Sequence, residues 1–403
     1  MTVTSFARHF TPGAAAILAL LVASAPAQAA LTFNFSFTAG TSAAAQSAFI
    51  AAGSRWSNLF SDNVTVDLTV GTAVLGAGIL GQARSRELNY SYSAFRSAMV
   101  ADSSSAADAM AVANLPGGNS FNMLLNGTSN SPNGFGSATP FVDKDNDANN
   151  SSIALTAANA KALGLAAGTG NLGGSCASTC DAFIQFNSNF AFDYDPSNGI
   201  GAGSYDFVGV ATHEIGHALG FVSGVDVLDY NFGPFRDDQF TFVSALDMFR
   251  YSALSDANGV IDWTADTRAK YFSIDGGATA IAGFSTGSSH GDGSQASHWK
   301  DNLGLGVMDP TAAPGEILVV SDNDKIAMDV IGWNRQRQSS VVPEPASWMM
   351  IILGFGLVGH ALRRRPMTVR FAGKGPADAL RLCTARCSCK GAPQARLLCR
   401  APL

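Results

Sequence analysis

The chain has 403 residues, of which 47% are hydrophobic and only 14% are charged, and its formal net charge is −6. Residues 30–342 hold 29 acidic and 14 basic side chains, whereas the segment from Arg363 onward holds ten basic residues and one acid. Because nucleic-acid binding needs a basic surface, the acidic body excludes nucleic acid as an expected partner.

The first 29 residues are typical of a secretory signal peptide. Arg8 and His9 precede an apolar run from Ala14 to Ala25, and Ala27-Gln28-Ala29 is a small-x-small cleavage site. The apolar run is shorter than the ~20 residues that span a bilayer, which argues against the alternative of a membrane anchor. The sequence therefore predicts export.

Cysteine usage agrees with export. Cys176 and Cys180 lie four residues apart, and no other cysteine lies within residues 30–342 to complete a metal site with them. We expect a local disulfide between the two, with two free thiols as the alternative.

Alternation of apolar and polar residues predicts strands over Leu31–Thr38 and Val64–Val70, and helical spacing predicts a helix between them, over Ser42–Phe60. A strand, helix, strand opening is consistent with a sheet covered by helices. Residues 115–150 are rich in Gly, Asn, Ser and Asp and are expected to be loop. Further along, the pattern predicts a short helix over Ser152–Leu165 and a strand over Phe183–Phe192.

A helix is expected over Tyr205–Leu219, with Asp206 as its N-cap and Gly220 as its C-terminal stop. It contains the run His213-Glu214-Ile215-Gly216-His217, which matches the HExxH motif of zinc peptidases. Positions i and i+4 share one helix face, so both histidines can bind one ion. Glu214 stands beside them as a candidate general base. The alternative is a helix with two ordinary histidines.

A catalytic zinc ion needs a third protein ligand. In the longer metzincin motif this ligand is a histidine three residues after the glycine, but here Gly220 is followed at that position by Ser223. The ligand must therefore come from elsewhere in the chain. The residues alone leave four candidates open: His290, His298, Asp226 and Asp247.

The segment Ser297–Pro310 resembles the leishmanolysin branch of the metzincins. In that branch a long insertion, here about 80 residues, precedes a histidine in a Ser-His-Trp context, about ten residues before the methionine of a Met-turn. Both features are present, the second as Val307-Met308-Asp309-Pro310. The resemblance implies the following roles: His213, His217 and His298 as zinc ligands, Glu214 as general base, and Met308 as a hydrophobic floor beneath the metal.

The same resemblance implies an α+β fold for a metallopeptidase domain spanning residues 30–335. A twisted mixed sheet and the active-site helix would form an upper subdomain, at about 30–222, above a smaller, irregular C-terminal subdomain at about 223–335. The implied function is a zinc-dependent endopeptidase acting on a protein or peptide substrate. The alternative is a catalytically weak surface or matrix binding protein that keeps a metzincin fold.

Two acidic runs are similar to calcium loops, since clustered carboxylates and amides suit a hard cation. These are Asp193–Gly199 and Asp143–Asp147. Calcium is therefore a second candidate cofactor, and a solvated polar turn is the alternative at each place.

A polar linker beginning at residue 336 leads to Pro343-Glu344-Pro345, an apolar run over Trp348–Leu362, and Arg363-Arg364-Arg365. Together they resemble the PEP-CTERM sorting signal of Gram-negative bacteria. The resemblance implies processing by an exosortase-type enzyme, transient membrane association, and a secreted or cell-surface location; a plain C-terminal anchor is the alternative. Residues 366–403 form a basic tail, expected to be disordered, that contains Cys383, Cys387, Cys389 and Cys399.

Overall fold

A computed structural model describes residues 30–128, 131–134, 137–176, 178–231, 236–336 and 345–363. The expected signal peptide, the Pro343-Glu344 dipeptide and the basic tail 366–403 lie outside the described residues. The chain divides into two compact units, Met1–Arg337 and Gln338–Leu403.

The described part of the first unit is a mixed α+β structure of short elements. Its strands are β1 (Thr32–Phe37), β2 (Thr65–Ala73), β3 (Gly81–Ser85), β4 (Glu87–Ser91), β5 (Met123–Leu125), β6 (Phe141–Asp143), β7 (Ser152–Thr156), β8 (Ala182–Asn187), β9 (Phe192–Asp193), β10 (Tyr205–Asp206), β11 (Arg250–Tyr251), β12 (Ile261–Asp262), β13 (Lys270–Phe272) and β14 (Ala282–Phe284). Its helices are α1 (Ala43–Ser57), α2 (Tyr92–Asp102), α3 (Ala106–Asn114), α4 (Ala148–Ser151), α5 (Ala157–Ala162), α6 (Phe207–Leu219), α7 (Val225–Asn231), α8 (Ala253–Ala257) and α9 (Asp322–Val330).

The largest sheet has the strand order β1-β2-β8-β3. β1 and β2 pair in parallel, as do β2 and β8, whereas β3 runs antiparallel to β8. The mixed sheet that the sequence predicted is therefore present, and β3 is its antiparallel edge strand. Four smaller sheets of two or three strands complete the described strand pairing.

The segment Ser152–Leu165 differs from its prediction as a single helix. Its first half is strand β7, which pairs antiparallel with β4, and only the second half is helix α5. Ile153 and Leu155 are buried, and the Ala154 N–H donates to the carbonyl of Val243 at 2.8 Å. Pairing with distant strands thus gives residues 152–156 a strand conformation, although their local spacing predicts a helix. The region expected to be loop, 115–150, likewise contains β5, β6 and α4.

The central helix α6 is buried along nearly its whole length. Phe49 of α1, Phe186 of β8 and Phe207 of α6 pack against one another, with ring centroids 4.3–5.1 Å apart. The indole of Trp56 donates to the carbonyl of Thr212 at 2.9 Å, which ties α1 to α6. An apolar helix enclosed on all sides keeps its few polar groups in fixed positions.

The described part of the second unit is the helix α10 (Pro345–Arg363). Its described side chains, which include Phe355 and Leu357, are exposed. Within the described ranges, no helix is both long and apolar enough to cross a membrane.

Candidate metal centre

The helix α6 begins and ends where its caps require. The Asp206 carboxylate accepts a hydrogen bond from the Gly209 N–H at 2.8 Å, as an N-cap does. Gly220 has a φ of 119° and stops the helix, since this left-handed conformation strains other residues. The caps fix the two ends of the helix, and its last two turns carry His213 and His217.

The Nε2 atoms of three histidines converge on one point. His213 and His217 are 3.0 Å apart at Nε2, and His298 lies 3.1 Å from the first and 3.2 Å from the second. Tetrahedral zinc with bonds of 2.0–2.1 Å needs ligand atoms roughly 3.3 Å apart. The observed spacing is therefore close to that of a zinc site, although His298 follows His217 by 81 positions.

Main-chain carbonyls set the protonation of all three rings. Each Nδ1 lies beside one carbonyl oxygen: Val307 for His213 at 2.8 Å, Phe221 for His217 at 2.7 Å, and Gln295 for His298 at 3.2 Å. A carbonyl can only accept, so each Nδ1 is the donor and each Nε2 is left as a lone pair in the neutral ring. Three lone pairs cannot hydrogen-bond one another. A shared cation would satisfy all three, and this support by a carbonyl is usual for metal-binding histidines.

Burial keeps the imidazoles neutral. It lowers the pKa of His213 to about 4 and that of His217 to about 3, with the proximity of His213 a further cause in the second case. The pKa of His298 is likewise held well below its usual value, first by burial and then by its two neighbours. Neutral imidazole is the form that binds metal, so the site is ready for a cation at neutral pH.

Glu214 lies on the histidine-bearing turn of α6 and faces the edge strand β3. A Cβ atom at Gly81 would come within 2.8 Å of Glu214 Oε1, so the absence of a side chain there gives the carboxylate its place. Burial raises the pKa of Glu214 to about 8. A nearby cation favours the ionised form of a carboxyl, so a bound metal would oppose that shift.

An aspartate of α7 holds the chain segment that delivers His298. The carboxylate of Asp226 accepts the N–H of Ala296 at 2.6 Å and that of Ser297 at 3.1 Å. Ser297 Oγ also donates to Asp226 and accepts the N–H of Ser223 at 2.8 Å. The two ends of the long insertion are thus joined directly beside the third histidine.

Met308 packs against the turn of α6 that carries His213 and His217. A Cβ atom at Gly216 would lie only 2.5 Å from the Met308 sulfur, so the glycine allows the close approach. The N–H of Trp299 donates to the carbonyl of Met308 at 3.0 Å, and the buried carboxylate of Asp324 accepts from the Trp299 indole and the Val307 N–H, both at 2.8 Å. This carboxylate fixes the turn that contains Met308.

The other candidate ligands are engaged elsewhere. Ser223 Oγ donates to Asp247 at 2.6 Å, and Asp247 also accepts the N–H groups of Gly224 and Ser244 at 2.8 and 2.9 Å. His290 bonds to Asp229 through its ring and its N–H. Among the described residues, the three histidines form the only group of three His, Cys, Asp or Glu ligand atoms lying within 4.8 Å of one another.

A cleft with a volume of about 1140 Å³ opens over the three histidines and Glu214. One side is formed by residues 78–87, which include the edge strand β3. The lining also includes Phe242, Ser297 and Pro310. Any ligand in this cleft would lie between the edge of the sheet and the segments that carry His298 and Met308.

Sequence reasoning did not find three supporting residues. By sequence Asp226 is a candidate ligand, whereas in the structure its carboxylate accepts hydrogen bonds from the backbone next to His298. Asp324 gave one local signal, since Ser321 and Asp324 form a capping box at the start of α9, but that pattern does not show contact with the Met308 turn. Gly81 gave no signal at all, because its role depends on the position of Glu214.

Two further predicted features are a disulfide and an acidic turn. Cys176 and Cys180 are bonded to each other as a disulfide. In the acidic run Asp193–Gly199, the Asp193 carboxylate accepts the N–H groups of Asp195 and Gly201 at 3.0 and 2.9 Å, so the turn satisfies its own charge.

Comparison with known proteins identifies one segment of the chain. The PEP-CTERM protein-sorting motif matches residues 341–365. This segment is a PEP-CTERM sorting motif. Such a motif implies processing by an exosortase and sorting to the cell surface in Gram-negative bacteria. No curated protein and no solved structure gives a significant match to the chain.

Proposed function

We propose that this chain is a metzincin-type, zinc-dependent endopeptidase that is exported to the surface or exterior of a Gram-negative cell. The observation that carries the proposal is the convergence of three neutral Nε2 atoms beside one buried carboxylate, Glu214. Three imidazoles suit zinc and leave a fourth position for water or substrate. The sorting motif at residues 341–365 supports the location.

The role proposed for Glu214 follows from its position and its pKa. A bound zinc ion would supply a Lewis acid that lowers the pKa of water to about 7. Glu214 would take a proton from that water at its carboxylate and return it to the leaving amine. Burial alone raises the pKa of Glu214, and a bound cation would lower it again, so that the carboxylate is ionised as a general base must be.

The cleft supports a polypeptide as the substrate. Among the described strands, β3 has a sheet partner on one side only, β8, and its residues line the cleft that contains the histidines. An extended peptide can add to an exposed strand edge through main-chain hydrogen bonds. A substrate bound along β3 would pass over Glu214, because Gly81 lies against that carboxylate.

Glu214→Gln in the exported protein tests this proposal, with zinc content measured by atomic emission and cleavage measured on casein. We expect about one zinc ion per chain in both proteins, and a loss of cleavage of about 10²–10⁴-fold in the variant, as for removal of a general base. Glu87→Gln is the matched control, since Glu87 lines the same cleft without belonging to the metal-binding helix.

Two results would count against the proposal. If the wild type holds zinc but cleaves nothing under any activation condition, a surface or matrix binding protein with a metzincin fold becomes the better description. If Glu87→Gln loses as much activity as Glu214→Gln, the activity does not depend on a base at the metal centre.

A further inference from the structure

We propose that the chain also binds a calcium ion, between residues 143–150 and the 3-10 turn Asp237–Gln239. Asp143, Asp145, Asp147 and Asn149 place oxygen-bearing side chains at alternate positions, as calcium loops do. Composition of this kind also occurs in solvated turns, so the acidic run does not by itself show a site. The supporting evidence is the state of the buried oxygens around it.

Several buried side-chain oxygens in this region accept no hydrogen bond from any described residue. Of the eleven buried side-chain polar atoms without a partner in the described part of the chain, six belong to this region, and all six are oxygens. A buried oxygen without a partner is destabilising, so six together are unusual. They are Asn126 Oδ1, Asp143 Oδ1, Asn149 Oδ1, Asn150 Oδ1, Asp237 Oδ2 and Asp238 Oδ1.

The hydrogen bonds of the amide nitrogens show which side-chain oxygens lack a donor. Asn149 Nδ2 donates to Asp143 Oδ2 at 3.2 Å, and Asn150 Nδ2 donates to the carbonyl of Phe121 at 3.0 Å. Turning either amide would break these bonds without giving its oxygen a donor. Asp143, Asn149 and Asn150 are at most 2% exposed, so bulk water does not supply one. Internal water or a hard cation can satisfy such oxygens, and the clustered carboxylates favour the cation.

The two segments lie against each other. Helix α4, which contains Asn149 and Asn150, contacts the turn Asp237–Gln239. A Cβ atom at Gly127, the residue after Asn126, would lie 3.1 Å from the atoms of the Asp237 carboxylate. Oxygens from three separate stretches of chain therefore face one neighbourhood.

Two buried carboxylates of this region, those of Asp143 and Asp237, lie close to other carboxylates. Neither Asp143 nor Asp237 forms an ion pair with a lysine or arginine among the described residues. Burial and the neighbouring carboxylates of Asp145 and Asp147 raise the pKa of Asp143 to about 6. Burial and Asp238 raise that of Asp237 to about 7. A divalent cation would remove this repulsion.

The donor atoms select calcium among the common divalent ions. Zinc prefers nitrogen and sulfur, and magnesium demands a small octahedral shell that usually keeps several waters. Calcium accepts six to eight oxygens, including amide oxygens, in a flexible geometry. No three carboxylates of this region converge within 4.8 Å, so amide oxygens would complete the shell.

Equilibrium dialysis of the full exported chain tests the proposal, with bound calcium and zinc counted separately by atomic emission. We expect one calcium ion per chain, at least tenfold preference over magnesium, and a higher melting temperature in calcium. Asp143→Asn and Asp237→Asn should each weaken calcium binding at least tenfold. Asp193→Asn is the matched control and should change it little, because that carboxylate is satisfied by main-chain N–H groups.

The proposal is overturned if the wild type binds no calcium, if magnesium binds equally well, or if both Asp143→Asn and Asp237→Asn keep full affinity. Loss of binding in Asp193→Asn alone would place the ion in the other acidic turn. Should one variant fail to fold, the other still decides, because Asp143 and Asp237 belong to different segments. The zinc count separates this result from the peptidase proposal.

Discussion

Substituting Asp226 by asparagine removes charge from the residue that holds the third histidine's segment, while keeping its size. The carboxylate now accepts the N–H groups of Ala296 and Ser297 and the Ser297 hydroxyl. An asparagine offers one acceptor oxygen, and its NH₂ group would face a donor in place of the second. At least one hydrogen bond to a charged group is lost beside His298.

The expected size of the effect follows from that count. A hydrogen bond to a charged group contributes about 1.5–3 kcal/mol. A factor of ten in affinity corresponds to about 1.4 kcal/mol, so one such bond is equivalent to a roughly 10–100-fold change in zinc affinity. The same range is typical when outer-shell partners of metal ligands are replaced. We therefore expect the zinc dissociation constant of Asp226→Asn to rise about 10–100-fold.

Competition with a chromogenic zinc chelator at fixed pH measures this change, and Asp229→Asn is the control. Asp229 lies on the same helix and holds the same insertion in the same way, through the N–H groups of Ser289 and His290 at 2.8 and 2.7 Å. Because Asp229 does not hold the residues next to His298, the zinc affinity of the Asp229→Asn protein should change less than about threefold. Equal losses in both variants, or an unchanged affinity in Asp226→Asn, would refute the reasoning.

Two further predictions concern Glu214 and a buried acid away from the metal. Gly81→Ala places a methyl group against the Glu214 carboxylate and should reduce casein cleavage about tenfold to a hundredfold with zinc content unchanged. Ser85→Ala, on the same strand, should leave casein cleavage unchanged. Equal losses of cleavage in the two variants would argue against the contact between Gly81 and Glu214. Burial and Asp108 raise the pKa of Asp329 to about 6. The folded state therefore keeps this proton between about pH 4 and 6, where the unfolded chain has lost it, and the free energy of unfolding falls as pH rises through that window. Urea unfolding of Asp329→Asn at several pH values should show a smaller fall, and an identical slope would contradict the assignment.

The parts of the structure that the sequence predicted are those with local causes. Helix α6 was predicted with both of its caps because Asp206 and Gly220 act on adjacent turns. The strands β1 and β2 were predicted because alternation persists over six residues or more. The segment containing β7 was predicted as helix because its strand partners, β4 and Ser244, lie far away in the sequence.

The third candidate ligand, His298, shows where local reasoning ends. From composition and spacing, His290 and His298 were equivalent, and only a resemblance to a known family separated them. The structure brings His298 to the helix histidines through Asp226 and Ser223, which no periodic pattern connects to residue 298. The acidic run around Asp143 could not be distinguished from a solvated turn either, because an exposed polar turn and a buried cluster of oxygens have the same composition.

The hydrogen bonds that orient the three histidine rings all end on main-chain oxygens, those of Phe221, Gln295 and Val307. Any amino acid at these positions presents the same carbonyl, so the orienting groups survive every substitution that leaves the local backbone path intact. Evolution can therefore change the side chains at 221, 295 and 307 without losing the tautomer of any ring. Related sequences would keep the three histidines and the route of the chain around them, while the residues that orient the rings would look unconstrained.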